Sequence, residues 1–254
     1  MKHNKVERAV AAQKWINTLR GPLKIRDTFD ALGGTRYVQH YTPKRFSNLY
    51  SDTKISIMDL SVVECLVHKS WDKDESTRSC ILCFASYTNP GGGFLKGAVS
   101  QEEDICRYSN LYPCLNFYRD VYRARKQCKS TGIYGDDFFY VRGAKFYVNG
   151  ESITSDILVM SAPNKYKVKG DVDAALKRRM EIAYNYPRSQ GVTHLYLGAF
   201  GCGLFGNDPK LVAEYWKELY EESPGYYREI IHPVPNKSVA TIFKGVLDVE
   251  YFLR

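Results

Sequence analysis

Residues 80–85, Cys-Ile-Leu-Cys-Phe-Ala, form a continuous run of apolar strand formers, the pattern of a strand covered on both faces. Residues 54–58 alternate apolar and polar. Further short apolar runs at 138–141, 145–148, 155–161, 193–200 and 227–234 predict more strands, the last of which ends the series. Asn149-Gly150 has hairpin-turn chemistry. Elsewhere the apolar period is helical. Val6, Val10, Trp15, Ile16 and Leu19 suit one face of a helix over 4–19, which Gly21-Pro22 stops. Ser61 and Glu64 form a capping box for a helix to about His68, with Val63 and Val67 on its buried face. A helix from Gln101 carries Ile105, Ser109 and Tyr112 on one face and ends before Pro113. Asp171 caps a helix to about Tyr184. Asp208 and Pro209 start another, with Leu211, Val212, Tyr215, Trp216 and Leu219 facing the core, and 238–247 is a short helix. Strands alternating with helices predict an α/β fold, a three-layer α/β/α sandwich on a mixed sheet. The polar segment after Pro22, to about Ser51, reads as irregular. Residues 1–52 are therefore expected to be an N-terminal helical extension and 53–254 the main domain.

Two turns stand out from this pattern. Asn89-Pro90-Gly91-Gly92-Gly93 follows the apolar strand, and glycine there lets peptide N–H groups converge on an anion. Ser100-Gln101-Glu102-Glu103 then fits a helix start, with Ser100 as N-cap and Glu103 as its capping-box partner. The second turn, Gly201-Cys202-Gly203-Leu204-Phe205-Gly206, joins a strand to the helix begun by Asp208. That is the geometry that binds phosphate through N–H groups and the positive end of a helix dipole. Both turns would sit beyond the carboxyl ends of strands, where such sheets hold ligands.

The order Gly91-Gly92-Gly93, short spacer, Gln101-Glu102-Glu103 resembles the signature of poly(ADP-ribose) glycohydrolases. The surroundings, from Phe84-Ala85-Ser86 to Leu111-Tyr112-Pro113, are similar to the microbial type of that family. The run from Gly198 to Asn207 resembles its diphosphate loop. The resemblance implies a macrodomain-like core that holds ADP-ribose, with the diphosphate against Gly201, Cys202, Gly203, Leu204 and Phe205. The distal ribose would lie near Asn89, Gly91, Gly92, Gly93 and Gln101. It further implies hydrolysis of the ribose–ribose O-glycosidic bond, with Glu103 as general acid and later base, and with Glu102 holding ribose hydroxyls. Phe205 would stack on the nucleotide. The Ala162-Pro163-Asn164 corner would lie beside the cleft. Two other uses of the same cleft stay open: a non-catalytic ADP-ribose reader, and a hydrolase that removes single ADP-ribose groups from protein or nucleic acid.

Composition adds a partner class and a compartment. The formal net charge of +8 over 254 residues suits an anionic partner, a nucleotide polymer or nucleic acid, without choosing between them; the resemblance implies poly(ADP-ribose) or ADP-ribosylated macromolecules. Residues 118–126 interleave basic and aromatic side chains, so direct nucleic-acid binding is a further reading, beside that of a helix with a solvated basic face. Seven cysteines, an odd number in apolar stretches, suit reduced thiols in a cytoplasmic setting. Cys80 and Cys83 would face opposite sides of their strand, and no second cluster accompanies them, so neither a metal nor a cofactor is expected. Cys202 has no neighbouring histidine and reads as a small residue. No apolar stretch approaches the roughly 18–20 residues of a membrane span.

Overall fold

The computed structural model describes residues 4–44, 46–69, 76–128, 131–168 and 171–252. Helices α1 (Lys5–Leu19) and α2 (Pro22–Gly33) lead into strand β1 (Thr35–Val38). Then come β2 (Lys54–Met58), α3 (Val62–His68) and β3 (Ser79–Phe84), followed by α4 (Gln101–Tyr108), α5 (Leu111–Phe117) and α6 (Arg119–Gln127). The hairpin β4 (Phe138–Val148) and β5 (Glu151–Met160) precedes α7 (Val172–Ser189) and β6 (His194–Tyr196). The chain continues through α8 (Pro209–Glu222), β7 (Glu229–Pro233), α9 (Lys237–Leu247) and β8 (Glu250–Phe252).

Among the described residues the eight strands form one mixed sheet in the order β1-β4-β5-β3-β6-β7-β2-β8. β1, β4 and β5 pair antiparallel, and every pairing from β5 to β8 is parallel. The central strands alternate between two cores. Cys80, Leu82, Tyr140 and Leu158 pack with Leu176, Met180, Trp216 and Phe243 of α7, α8 and α9. Ile81, Cys83, Phe139 and Ile157 pack with Ile16, Ala31, Ile105, Leu115 and Tyr122 of the helices before β4. Helices on both faces of one sheet make the three-layer sandwich expected from the apolar pattern. Each such aliphatic or aromatic side chain stabilises the fold by about 1.5–3 kcal/mol when taken out of water. Cys80 and Cys83 do face opposite sides of the sheet.

Several expectations need correction. Residues 22–38 are not irregular: Pro22 occupies the first turn of α2, where its missing N–H would have had no partner, and β1 joins the sheet beside β4. Val6 and Val10 are 73% and 51% exposed, so of the expected face α1 buries Ile16 and Leu19, together with Ala12. The helix from Gln101 ends at Tyr108, and Pro113 lies within the first turn of α5, where proline costs no hydrogen bond. Residues 138–148 form one strand rather than two. The Asp156 carboxylate receives the Gly143 N–H at 2.8 Å and carries the strand through a bulge. β6 stops at Tyr196, short of Phe200, and β8 follows the run at 227–234. The Asn149-Gly150 turn has positive φ at both residues, 52° and 85°, as the tight hairpin needs. No helix among the described residues is long and apolar enough to cross a membrane.

Candidate active site

Strands β5, β3, β6, β7 and β2 run parallel, so their carboxyl ends lie on one side of the sheet. The residues that follow those five ends line one cleft of about 680 Å³. Phe84 closes β3 and Ser86 follows it, Ala162 follows β5 and the second glycine loop follows β6. Pro233 to Asn236 come from the end of β7, and Ser61 and Val62 follow β2. This is where open α/β sheets place ligands.

The first glycine turn and the start of α4 form one wall. Gly92 has φ +60°, and a Cβ there would stand 2.4 Å from Glu103 Oε1 and 2.8 Å from Glu102 Oε2. Only glycine lets the backbone pass so near both carboxyls. Glu103 is 4% exposed, and its Oε1 accepts the Gly93 N–H at 2.6 Å. Its Oε2 accepts from the Ser100 hydroxyl. The expected capping box is therefore absent: Ser100 makes no side-chain bond to the helix backbone, because its hydroxyl is turned to the Glu103 carboxylate. Glu102 is 2% exposed, and its Oε2 accepts the Ser86 N–H at 2.7 Å while Oε1 has no hydrogen-bond partner among the described residues. Burial pushes the Glu102 carboxyl well above its usual range, and the N–H groups of Ser86 and Gly91 offset this only in part.

The other residues expected on this wall divide by function. Asn89, Gly93 and Gln101 line the cleft with Gly92. The Gln101 amide is engaged with β3 at both ends, accepting the Phe84 N–H at 2.7 Å and donating to the Leu82 carbonyl at 3.0 Å. Gly91 is buried behind the wall, where a Cβ would meet the Tyr112 ring and Cys106 Sγ. The wall is braced from outside by α1. Arg8 Nε donates to the Gly97 carbonyl at 2.7 Å, and a Cβ on Gly97 would lie 2.1 Å from the Lys5 carbonyl oxygen.

The second loop forms another part of the lining. Gly201, Cys202, Gly203, Leu204 and Phe205 all face the cleft. The N–H groups of Gly203, Leu204 and Phe205 carry no hydrogen bond among the described residues, so three successive donors are left for an anion. Asn207 Nδ2 ties the loop together, donating to the Pro163 and Gly201 carbonyls at 2.9 and 3.0 Å. Gly198, where the loop begins, is held on both sides. His232 Nδ1 accepts its N–H at 3.2 Å, and Trp216 Nε1 donates to its carbonyl at 3.1 Å. The helix terminus itself does not face the cleft: Asp208 caps α8 by accepting the Lys210 N–H, and no α8 residue joins the lining. The loop's own N–H groups replace the dipole expected there. The Cys202 thiol is pushed up to about 12 by burial, which removes it as a thiolate nucleophile.

Sequence reasoning missed the cleft residues after β2 and β7, among them Val62, Val234 and Val239. The carboxyl-end rule applied to those two strands would have found them. The basic run at 118–126 is α6, and its Arg125 is 8% exposed, turned into the core against Asp137 rather than outward. Among the described residues no group of three or more His, Cys, Asp or Glu is placed to hold a metal ion.

A family model described as the microbial-type PARG catalytic domain, PARG being poly(ADP-ribose) glycohydrolase, matches residues 4–147, more than half of the chain. The chain belongs to the microbial-type poly(ADP-ribose) glycohydrolase family. Its fold is that of the Thermomonospora curvata glycohydrolase, with a TM-score of 0.82 at 23% identity over 96% of this chain and 98% of that one. The same enzyme bound to the inhibitor ADP-HPD superposes with a TM-score of 0.79 at 25% identity over 96% and 98% of the two chains. The Deinococcus radiodurans glycohydrolase in complex with ADP-ribose gives 0.76 at 27% identity, covering 87% of this chain and 97% of that one. No curated protein matches the sequence.

Proposed function

We infer that the protein hydrolyses the O-glycosidic bond between ADP-ribose units of poly(ADP-ribose) and releases ADP-ribose. It is a glycosyl hydrolase of the poly(ADP-ribose) glycohydrolase family. The observation that carries the reading is a single cleft in which two adjacent carboxyls, Glu102 and Glu103, share the lining with a loop of three unpaired N–H groups. The loop at Gly203, Leu204 and Phe205 takes the diphosphate, and Phe205 packs on the nucleotide. Val62, Val234 and Val239 supply an apolar surface suited to the base, and Asn89 lies by the distal ribose.

Bond cleavage needs a proton on the leaving ribose oxygen and a water at the oxocarbenium-like carbon. Glu103 delivers the proton and then takes one from the water, whose oxygen ends on the anomeric carbon. A hydroxyl can donate or accept, so Ser100 can hold Glu103 both as carboxylate and as acid. Glu102, held through Oε2 by Ser86, keeps Oε1 for a ribose hydroxyl and orients the bond. The seven free cysteines suit a reducing, cytoplasmic setting.

The test is incubation with labelled poly(ADP-ribose) and, separately, with mono-ADP-ribosylated protein. Free ADP-ribose from the polymer supports the assignment. Release from the mono-modified substrate alone would make it a single-group hydrolase, and binding without release would make it a reader.

A further inference from the structure

The rim of the cleft beside Ser86 carries an aromatic stack that the reaction above does not use. Tyr87 follows Ser86 directly, and the Tyr134 ring is stacked on it with centroids 4.8 Å apart and planes at 23°. The Arg125 guanidinium carbon is 4.5 Å from the Tyr87 centroid. Two planar groups so close to one ring take its opposite faces. Tyr134 is thus the outer member of the stack, half-buried, with Phe205 of the cleft lining 6.2 Å away.

Long-range contacts hold this stack in place. The Tyr87 hydroxyl donates to Asp137 at 3.1 Å, and Asp137 pairs with the buried Arg125. Tyr134 has φ +62°, a left-handed conformation that a tyrosine rarely adopts. Arg179, 0% exposed, keeps it there, donating to the carbonyls of Tyr134 at 2.9 Å and Ser161 at 3.0 Å and to Asp136 at 3.2 Å. A buried arginine that pins a strained aromatic at the lip of a cleft points to use in binding rather than in the core. The adjoining loop is basic. The Asn164 N–H donates to Gly132 and the Lys165 N–H to Phe205, both at 2.9 Å, which joins these loops into one rim. Lys165 and Lys167 are exposed on it. An aromatic face on the same rim as two exposed lysines is chemistry suited to a nucleotide: stacking for the base, charge for its phosphates.

Resting on the glycohydrolase reading, we propose that Tyr134, stacked on Tyr87 and sharing its rim with the exposed Lys165 and Lys167, is a second nucleotide subsite, for the ADP portion of the unit on the leaving side of the scissile bond. The bond is cut beside Glu102 and Glu103, Glu102 is tied to the Ser86 N–H, and the next residue is Tyr87. The departing nucleoside starts at this end of the cleft, and the stack stands next to it, just outside the lining that Phe84 and Phe205 share.

Tyr134→Gly tests this, because glycine accepts the left-handed backbone without strain and keeps the loop foldable. The KM for poly(ADP-ribose) rises about tenfold or more, as the loss of one base-stacking contact gives, while the affinity for ADP-ribose alone, which fills only the cleft, stays within twofold by calorimetry. Tyr134→Phe restores the wild-type KM, and replacing both Lys165 and Lys167 with Gln flattens the salt dependence of KM. An unchanged polymer KM in Tyr134→Gly, or an equal loss of ADP-ribose affinity, overturns the subsite alone. A wild-type protein that releases no ADP-ribose from polymer overturns the glycohydrolase reading and the subsite with it.

Discussion

Glu103 Oε1 receives the Gly93 N–H at 2.6 Å, so the glycine turn and the first turn of α4 are joined at the proposed acid. The carboxyl is aimed by backbone rather than by side-chain packing, and its geometry depends on how closely the turn approaches. A methyl on Gly92 would overlap Glu103 Oε1 and press on Glu102 Oε2. Gly92→Ala is expected to lower kcat at least about 100-fold, as small misplacements of catalytic groups do, and to cost about 1–2 kcal/mol from the left-handed backbone. Steady-state turnover of polymer and urea denaturation measure the two effects separately.

Glu103→Gln keeps the shape and the Gly93 hydrogen bond but removes the transferable proton. It should lower kcat by about 10²–10⁴-fold, the usual worth of positioned acid–base catalysis, with ADP-ribose affinity within a few-fold of wild type. Turnover that survives this change while Glu102→Gln abolishes it would exchange the parts assigned to the two carboxyls.

Glu102 carries a pH signature of its own. Burial raises its carboxyl above the 4.5 it has in an unfolded chain, so the folded state holds the proton more tightly. Below about pH 4.5 both states are protonated and the site is neutral to stability. As pH rises from there towards the folded value, the unfolded chain ionises first and stability falls. Relative to wild type, Glu102→Gln should therefore be more stable at pH 7 than at pH 4. Denaturation midpoints of both proteins at the two pH values check the sign.

His232 acts in the opposite direction. It is fully buried, Nδ1 accepts the Gly198 N–H, and Nε2–H is left to donate to the Tyr220 hydroxyl at 2.7 Å. Burial lowers its pKa from 6.5 to about 3. The stability contributed by the neutral ring is complete above about pH 6.5 and is lost as pH falls from there towards about 3, by roughly 1.4 kcal/mol per unit. His232→Gln, which retains an acceptor and cannot charge in this range, should lose less stability between pH 7 and pH 4 than wild type. The folded ring stays neutral down to about pH 3, so the loop that starts at Gly198 keeps its anchor, and ADP-ribose affinity should not change through His232 between pH 7 and pH 4.

What could be read from sequence was local chemistry. The strand at 80–85, the glycine turns, the caps at Ser61, Asp171 and Asp208 and the hairpin at Asn149-Gly150 each depend on neighbours within a few residues. The misreadings arose where a distant group decides the outcome. Asp156 makes one strand of 138–148, and Gly93 and Glu103 divert the Ser100 hydroxyl from its helix. Pro22 was ambiguous on its own terms, since the residue that ends one helix also favours the first position of the next. The valine surface of the cleft was hidden because it becomes one surface only when β2 and β7 lie side by side.

The strand order has a practical consequence for shortened forms of the protein. β1, only four residues long, and β8, only three, flank the sheet and shield the ladder groups of β4 and β2 from pairing with another molecule. Trimming either one away would bare a longer edge and invite pairing between molecules, although among the described residues neither strand lines the cleft.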